Sequence, residues 1–418
     1  MERIEATYFV ETPLPLNEAA EILAGEQSCG TFVPVPGETA ELKEQYAARV
    51  ISVAIESEVN EPSLPHHTLR YPKYYRGEVK LSWPVANFGT NLPVLCSTLM
   101  GNLYELRQFT GIKLMDIEFP ASYTKRFRGP RFGITGTLEW IEKSGGFPLI
   151  GTIVKPSVGL TVADTVALVD QLASAGIDFI KDDELQGAAA NSPFDRRVAA
   201  VMDVLNKYAD KTGKLVMYAF NISDDMDMML RNYETVVRHG GSCAMVSMHS
   251  VGLSAVKKIG DLGALAIHGH RNGWGMLNRH PLLGVDFGAY QKIWRLAGVD
   301  QLHVNGIQNK FWESDTSVVR SIGKCLEPMP GILPALPVVS SGQWGGQAME
   351  TYRLTATDTY LYLAGGGIMA HPDGIRGGVA AIRAAWQAAI DGLTIEEAMI
   401  RSPEFRKSVE KFGNPHKQ

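Results

Sequence analysis

Eight times beyond about residue 135, a short apolar run gives way to an amphipathic helical stretch. The runs are 146–156, 177–184, 214–222, 242–250, 263–271, 300–304, 332–341 and 359–367. Between the first two, Thr161 and Asp164 form a capping box, and Val166, Val169 and Leu172 make one apolar stripe. Eight strands each followed by a helix is the count of a TIM barrel. An open doubly wound sheet is the alternative, and eight repeats favour the barrel. Residues 1–135 read differently, as a smaller α+β domain of ferredoxin-like type. Strand patterns at 48–57 and 77–85 flank a helical stretch at 92–109, and turn-rich text at 127–136 reads as a linker. The expected fold is therefore α/β, with a (β/α)8 barrel over 136–418 that ends in a helical extension from about residue 376.

At 418 residues the chain is long enough for a small domain plus a barrel, and 45% hydrophobic with 20% charged residues is ordinary globular composition. A net charge of −5 sets up no global field toward nucleic acid or anionic membrane, so any phosphate must be held by local groups. Cys29, Cys96, Cys243 and Cys325 lack C-x-x-C spacing, which fits a reducing cytoplasm better than a disulfide framework or a zinc site. The N-terminal stretch MERIEATYFVETPLP has no signal-peptide core, and no apolar run is long enough to span a bilayer. HEXXH, P-loop and GxSxG patterns are absent.

Polar residues collect at the C-terminal tips of the runs: Lys155; Lys181-Asp182-Asp183-Glu184; His268, His270 and Arg271; His303; Ser340-Ser341-Gly342; and Gly365-Gly366-Gly367. In a barrel these tips converge on the mouth, where barrel enzymes keep their active sites. Glycines after strands 7 and 8 suit a phosphate held by backbone N–H groups, although each alone could be an ordinary turn. Asp183 and Glu184 offer hard oxygen donors for Mg²⁺. Lys181 shares a strand face with Asp183. A lysine joins a metal site only when deprotonated and carbamylated by CO₂, and on spacing alone a strand-end Lys–Asp salt bridge is the simpler reading. Lys155 as a buried lysine at the mouth is a candidate general base, with a snorkelling structural lysine the alternative. His270, Arg271 and His303 can hold an oxyanion or move protons, and His268 reads as structural.

FIKDDE (179–184) resembles the metal-site motif of the RuBisCO large-subunit superfamily, and GTIVKP (151–156), HGHR (268–271) and DQLHV (300–304) resemble its neighbouring strand motifs. The resemblance extends over almost the whole chain. It implies a carbamylated Lys181 that completes a Mg²⁺ site with Asp183 and Glu184, Lys155 as enolising base, and catalytic His270. It also implies Lys310, seven residues past His303, as the mobile-loop lysine. Arg271, His303, Ser340, Gly342, Gly365 and Gly366 would bind a phosphorylated sugar or sugar-acid substrate. GEQSCGTF (25–32), whose Phe32 stands where plant-type enzymes carry tryptophan, and MGNLYEL (100–106) resemble segments of the family's active site, so Glu26 as a catalytic residue and Thr31 and Asn102 as substrate contacts would come from the second chain of a homodimer.

The departures narrow the chemistry. Ser157 stands where carboxylating members of the superfamily have a second lysine, the loop reads VNGIQNKF (304–311), and Trp274 stands where a histidine is usual. These point to a RuBisCO-like (form IV) protein. The leading expectation is decarboxylation or hydrolytic carbon–carbon cleavage of a phosphorylated 3-oxo sugar acid of the 3-oxo-isoapionate 4-phosphate type. Retention of Lys310 favours it over a methionine-salvage type of enolase or isomerase. Ser157 disfavours ribulose-bisphosphate carboxylation, and the complete set of metal and base residues disfavours a non-catalytic scaffold.

Overall fold

The computed structural model describes residues 2–30, 35–65, 71–141 and 148–413. The chain divides into two compact units.

One unit comprises Met1–Arg128 with Gly273–Leu296 and Pro328–Ile332. Its strands β1 (Arg3–Thr12), β2 (Arg49–Val59), β3 (Tyr74–Pro84) and β4 (Gly111–Glu118) pair antiparallel in the order β4-β1-β3-β2. That order is the ferredoxin-like arrangement read from the sequence. Strict alternation makes β1 a central strand: Ile4, Ala6, Tyr8 and Val10 are buried on one face. The helix Leu16–Glu26 covers the sheet with Leu16, Ala19, Ala20 and Leu23. The helix expected over 92–109 stops at Met100. Gly101 takes a non-helical conformation, and a Cβ there would lie 2.2 Å from the Ser97 carbonyl oxygen. A short 3₁₀ turn, Asn102–Glu105, follows. A fifth strand, tenth in chain order (β10, Leu283–Val285), runs parallel to β4 and was not expected from the sequence.

The second unit holds the barrel. Its strands are β5 (Leu149–Ile153), β6 (Phe179–Lys181), β7 (Met217–Asn221), β8 (Cys243–Ser247), β9 (Ala266–His270), β11 (Gln301–His303), β12 (Leu336–Val339) and β13 (Leu361–Leu363). All are parallel and the sheet closes, β13 onto β5, so the open-sheet alternative is excluded. Each lies within one of the eight apolar runs. The Thr161–Asp164 capping box forms as expected and opens the helix Val162–Ser174, which buries Val169 and Leu172. The C-terminal stretch is helical over Gly374–Ile390, Ile395–Arg401 and Pro403–Phe412.

The pleat dictates what fills the barrel. The apolar cluster inside it takes Leu149, Phe179, Met217, Ala219, Cys243, Met245, Ala266, Leu336, Val338, Leu361 and Leu363. Stepping two residues at a time from these along the same faces reaches Lys181, Asn221, Ser247, His268, His270, Ser340 and Gly365. Each strand thus runs from an apolar floor to a polar mouth. The floor is closed by the helix Gly133–Trp140, part of which the sequence reads as linker. Phe132, Ile134, Leu138 and Trp140 pack against the cluster. Asp300, just ahead of β11, fixes the start of this helix by accepting the N–H groups of Phe132 (2.6 Å) and Gly133 (2.8 Å). Turn residues such as Gly129, Pro130 and Gly133 disguise a short helix whose stability comes from the barrel it plugs.

Candidate active site

The buried amine at the mouth is Lys181. Its side chain is 1% exposed, and its Nζ donates to the Asp182 carbonyl oxygen at 2.8 Å and lies 3.3 Å from the Met245 sulfur. Burial lowers its pKa to about 8, against the opposing pull of the Glu184 and Asp183 carboxylates. Lys155 is different from the expectation. It lies two residues past the end of β5 with 43% of its side chain exposed, so the expected burial is absent in the chain by itself. Its ammonium bonds Asp183 Oδ2 at 2.5 Å and Ser157 Oγ at 2.7 Å, and Ser157 in turn donates to Asp183 at 3.0 Å. Hydrogen bonds from Lys155, Ser157 and the Leu185 N–H outweigh desolvation and hold the Asp183 carboxyl below its ordinary pKa.

Glu184 stands between two groups, 3.9 Å from Lys181 Nζ and 3.5 Å from His270 Nε2. The Asn272 N–H is donated to His270 Nδ1 at 3.2 Å, which leaves the His270 proton on the nitrogen facing Glu184. Burial and the Lys181 charge depress the His270 pKa to about 3, so the ring works as a neutral donor. His270 packs against His303 at 4.4 Å between ring centroids. Asp182 belongs to a different environment. It meets buried Arg197 at 3.2 Å, accepts the Tyr218 hydroxyl at 2.7 Å and accepts the Asn221 N–H at 2.9 Å, fastening β6 to β7 and to the helix Phe194–Thr212.

Around the other half of the mouth, Arg271 pairs with buried Glu313 at 2.7 Å, and Asn305 donates to the same carboxylate at 2.6 Å. Ser341 donates to Asn305 at 2.8 Å, and the Lys310 N–H donates to the Ser341 carbonyl at 3.3 Å. The loop carrying exposed Lys310 is therefore tied to the Ser340–Gly342 turn, where Ser341 and Gly342 both take positive φ. Gly366 heads a short helical turn whose leading N–H groups have no intrahelical acceptor. Lys155, Lys181, Asp183, Glu184, His270 and His303 thus form one connected set. Arg271, Lys310, Ser340, Gly342, Gly365 and Gly366 stand on the adjoining strand tips and loops. Glu26 and Asn102 are exposed in the other unit, at the end of the helix Leu16–Glu26 and the start of the 3₁₀ turn. Thr31 and Phe32 fall outside the described residues. Trp274 is buried beside Tyr290 and Phe287.

Among the described residues no three His, Cys, Asp or Glu side chains are grouped to hold a metal ion. Asp183 and Glu184 supply two carboxylates beside the Lys181 amine, and a carbamate on that amine would supply the missing anionic donor. The residues fit Mg²⁺ on that condition.

The catalytic-domain model of the ribulose bisphosphate carboxylase large chain matches residues 133–412, and the N-terminal-domain model matches 6–123. This chain belongs to the RuBisCO large-chain family. It is 49% identical over 410 residues to a 3-oxo-isoapionate-4-phosphate transcarboxylase/hydrolase of Xanthobacter autotrophicus, covering 98% of this chain and 99% of that one. It is 43% identical over 416 residues to a 3-oxo-isoapionate-4-phosphate decarboxylase of Rhizobium etli, again covering 98% and 99%. The crystal structure of a rubisco-like protein from Burkholderia fungorum superposes with a TM-score of 0.92 at 40% identity, covering 99% of this chain and 100% of that one. The chain is a RuBisCO-like protein. Two buried partners in this RuBisCO-like mouth escaped the sequence reading. Glu313 sits in a loop with no periodic signal. Gln301 could have been found by pleat parity, since it lies two residues before His303 on the same face.

Proposed function

We propose that the protein is a Mg²⁺-dependent carbon–carbon lyase acting on a phosphorylated 3-oxo sugar acid of the 3-oxo-isoapionate 4-phosphate type. The observation that carries this reading is the desolvated Lys181 amine beside Asp183 and Glu184, in a chain 43–49% identical to enzymes named for that substrate. An amine with a pKa near 8 has a usable neutral fraction near neutral pH, and the neutral amine is the form that takes up CO₂. Carbamylated Lys181, Asp183 and Glu184 would hold the metal, which when bound polarises a substrate carbonyl.

The chain's own groups supply the rest. In a 3-oxo acid the bond to the carboxylate breaks with its electron pair passing into an enediolate, and a proton then returns to carbon. Lys155 is the mobile cation at this point. Released from Asp183, its ammonium can face the enediolate and deliver that proton. His270, a neutral Nε2–H donor, can donate to a substrate oxygen. Lys310 approaches the departing carboxylate, Arg271 and the Ser340 hydroxyl oriented by His303 hold one end of the substrate, and the backbone at Gly342, Gly365 and Gly366, with Thr31, holds the phosphate. Ser157 leaves no second lysine to stabilise added CO₂, which argues for breaking rather than making that bond.

The 43% exposure of Lys155 in a single chain supports a homodimer in which Glu26, Thr31 and Asn102 of a second copy complete the site. Four free cysteines fit a cytoplasmic setting. Among the described residues no helix is long and apolar enough to cross a membrane.

The test is to incubate the protein, Mg²⁺ and bicarbonate with substrate ¹³C-labelled at the carboxylate. Labelled CO₂ identifies a decarboxylase, and label retained in the carboxylate of a three-carbon acid, with an unlabelled second acid, identifies hydrolytic cleavage. Deuterium wash-in without cleavage would overturn the lyase reading in favour of an enolase.

A further inference from the structure

A chain of hydrogen bonds links the barrel floor to the mouth, and each donor in it is decided by its neighbour. The Thr137 hydroxyl donates to the Gly133 carbonyl at 2.6 Å, so its oxygen can only accept. The Gln301 side-chain nitrogen faces that oxygen at 3.4 Å and the Met217 sulfur at 3.3 Å, both acceptors, which fixes the orientation of the amide. Its oxygen therefore faces His268 Nδ1 at 2.8 Å, with the Cys243 thiol pointing at the same oxygen from 3.9 Å. His268 must carry its proton on Nδ1. Its Nε2 then has only a lone pair, and His303 Nε2, at 2.8 Å, must be the donor. His303 Nδ1 is left as a lone pair facing Ser340 Oγ at 3.2 Å, which donates to it. Burial keeps both rings neutral, each with a pKa well below the ordinary histidine value, so neither carries a second proton that would break the sequence.

We propose that Gln301 and His268 are positioning residues that hold His303 as its Nε2–H tautomer, and so make Ser340 a pure hydrogen-bond acceptor toward a substrate hydroxyl. With its hydrogen committed to His303, Ser340 offers only lone pairs. A substrate with O–H at that position is bound, and one with a carbonyl oxygen there meets two opposed acceptors. His303 Nε2 is consumed inside the barrel, so this ring sets the polarity of Ser340 and does not exchange protons with substrate. The consequence for substrate recognition rests on the function proposed above, whereas the tautomer assignment does not.

Long-range ¹⁵N–¹H correlation spectra of the full-length protein labelled at the histidine ring nitrogens test the assignment without substrate, with the His303→Gln spectrum identifying the signals. The expected pattern is a protonated Nε2 and a bare Nδ1 on His303, and the reverse on His268. Gln301→Met removes the amide, and Thr137→Val removes the acceptor that orients it. Either should mix the two tautomers. Gln301→Met and Ser340→Ala should each raise KM roughly tenfold with little change in kcat. A wild-type His303 protonated at Nδ1 overturns the proposal, as does an unchanged pattern in both variants. If Gln301→Met fails to fold, Thr137→Val and the wild-type spectrum still decide it. Should the sugar-acid substrate prove wrong, the spectra stand and only the KM consequence falls.

Discussion

Lys181 shows how one residue can be costly to the fold and yet serve the site proposed above. Its cation is 1% exposed and lies 3.9 Å from the Glu184 carboxylate, so the desolvation of the charge is poorly compensated. Replacing a buried charge by an apolar side chain of similar length tends to be neutral or stabilising. Lys181→Met is therefore expected to unfold in denaturant within about 1 kcal/mol of the wild type, while losing activity by about a thousandfold or more. Equilibrium unfolding and product formation on the same preparation check both halves. A variant that keeps its activity removes Lys181 from the site, and one that unfolds at a much lower midpoint makes the lysine structural. Lys155 and Lys181 also mark what one-dimensional reading can reach. Both were legible as lysines at strand tips. Which of them is buried depended on where each strand stops: β6 ends on Lys181, whereas β5 ends at Ile153, and Lys155 runs on into the mouth.

At the scale of elements, the barrel strands were legible because parallel strands covered on both faces read as short, near-continuous apolar runs with polar tips. The helix Gly133–Trp140 and β10 were not. The first hides behind turn-forming residues and gains its stability from the barrel floor, and the second is three residues long with no alternation to detect. The Gln301–His268 connection was equally hidden, since DQLHV reads as a plain strand until the pleat aligns Gln301 with His303. The floor helix makes a prediction of its own. Asp300 accepts the N–H groups of Phe132 and Gly133 through one oxygen and that of Ile267, at 2.8 Å, through the other. Asp300→Ala strands three buried donors, and the unfolding free energy should fall by at least about 3 kcal/mol, read as a lower denaturant midpoint at unchanged slope. An unchanged midpoint would mean that water replaces the carboxylate and the floor helix is held by packing alone.

For the whole molecule, the proposed dimer predicts complementation. Lys181→Met disables the metal site of its own chain. Asn102→Ala disables the contribution its chain makes to a neighbour. Each variant alone should be close to inactive. Unfolded together and refolded at equal concentrations, about half of the dimers are mixed and one of the two sites in each is intact, which restores about a quarter of wild-type activity. No recovery, with mixed dimers verified by mass, would show that each chain carries its complete site.

The proposed chemistry depends on the Lys181 amine becoming an anionic ligand beside Asp183 and Glu184. ¹³C NMR of the protein equilibrated with ¹³C-bicarbonate and Mg²⁺ reads this directly. The expected spectrum has one lysine carbamate signal per chain, stabilised by Mg²⁺ and absent from Lys181→Met. A wild-type spectrum without that signal, or a signal that survives the substitution, would contradict it.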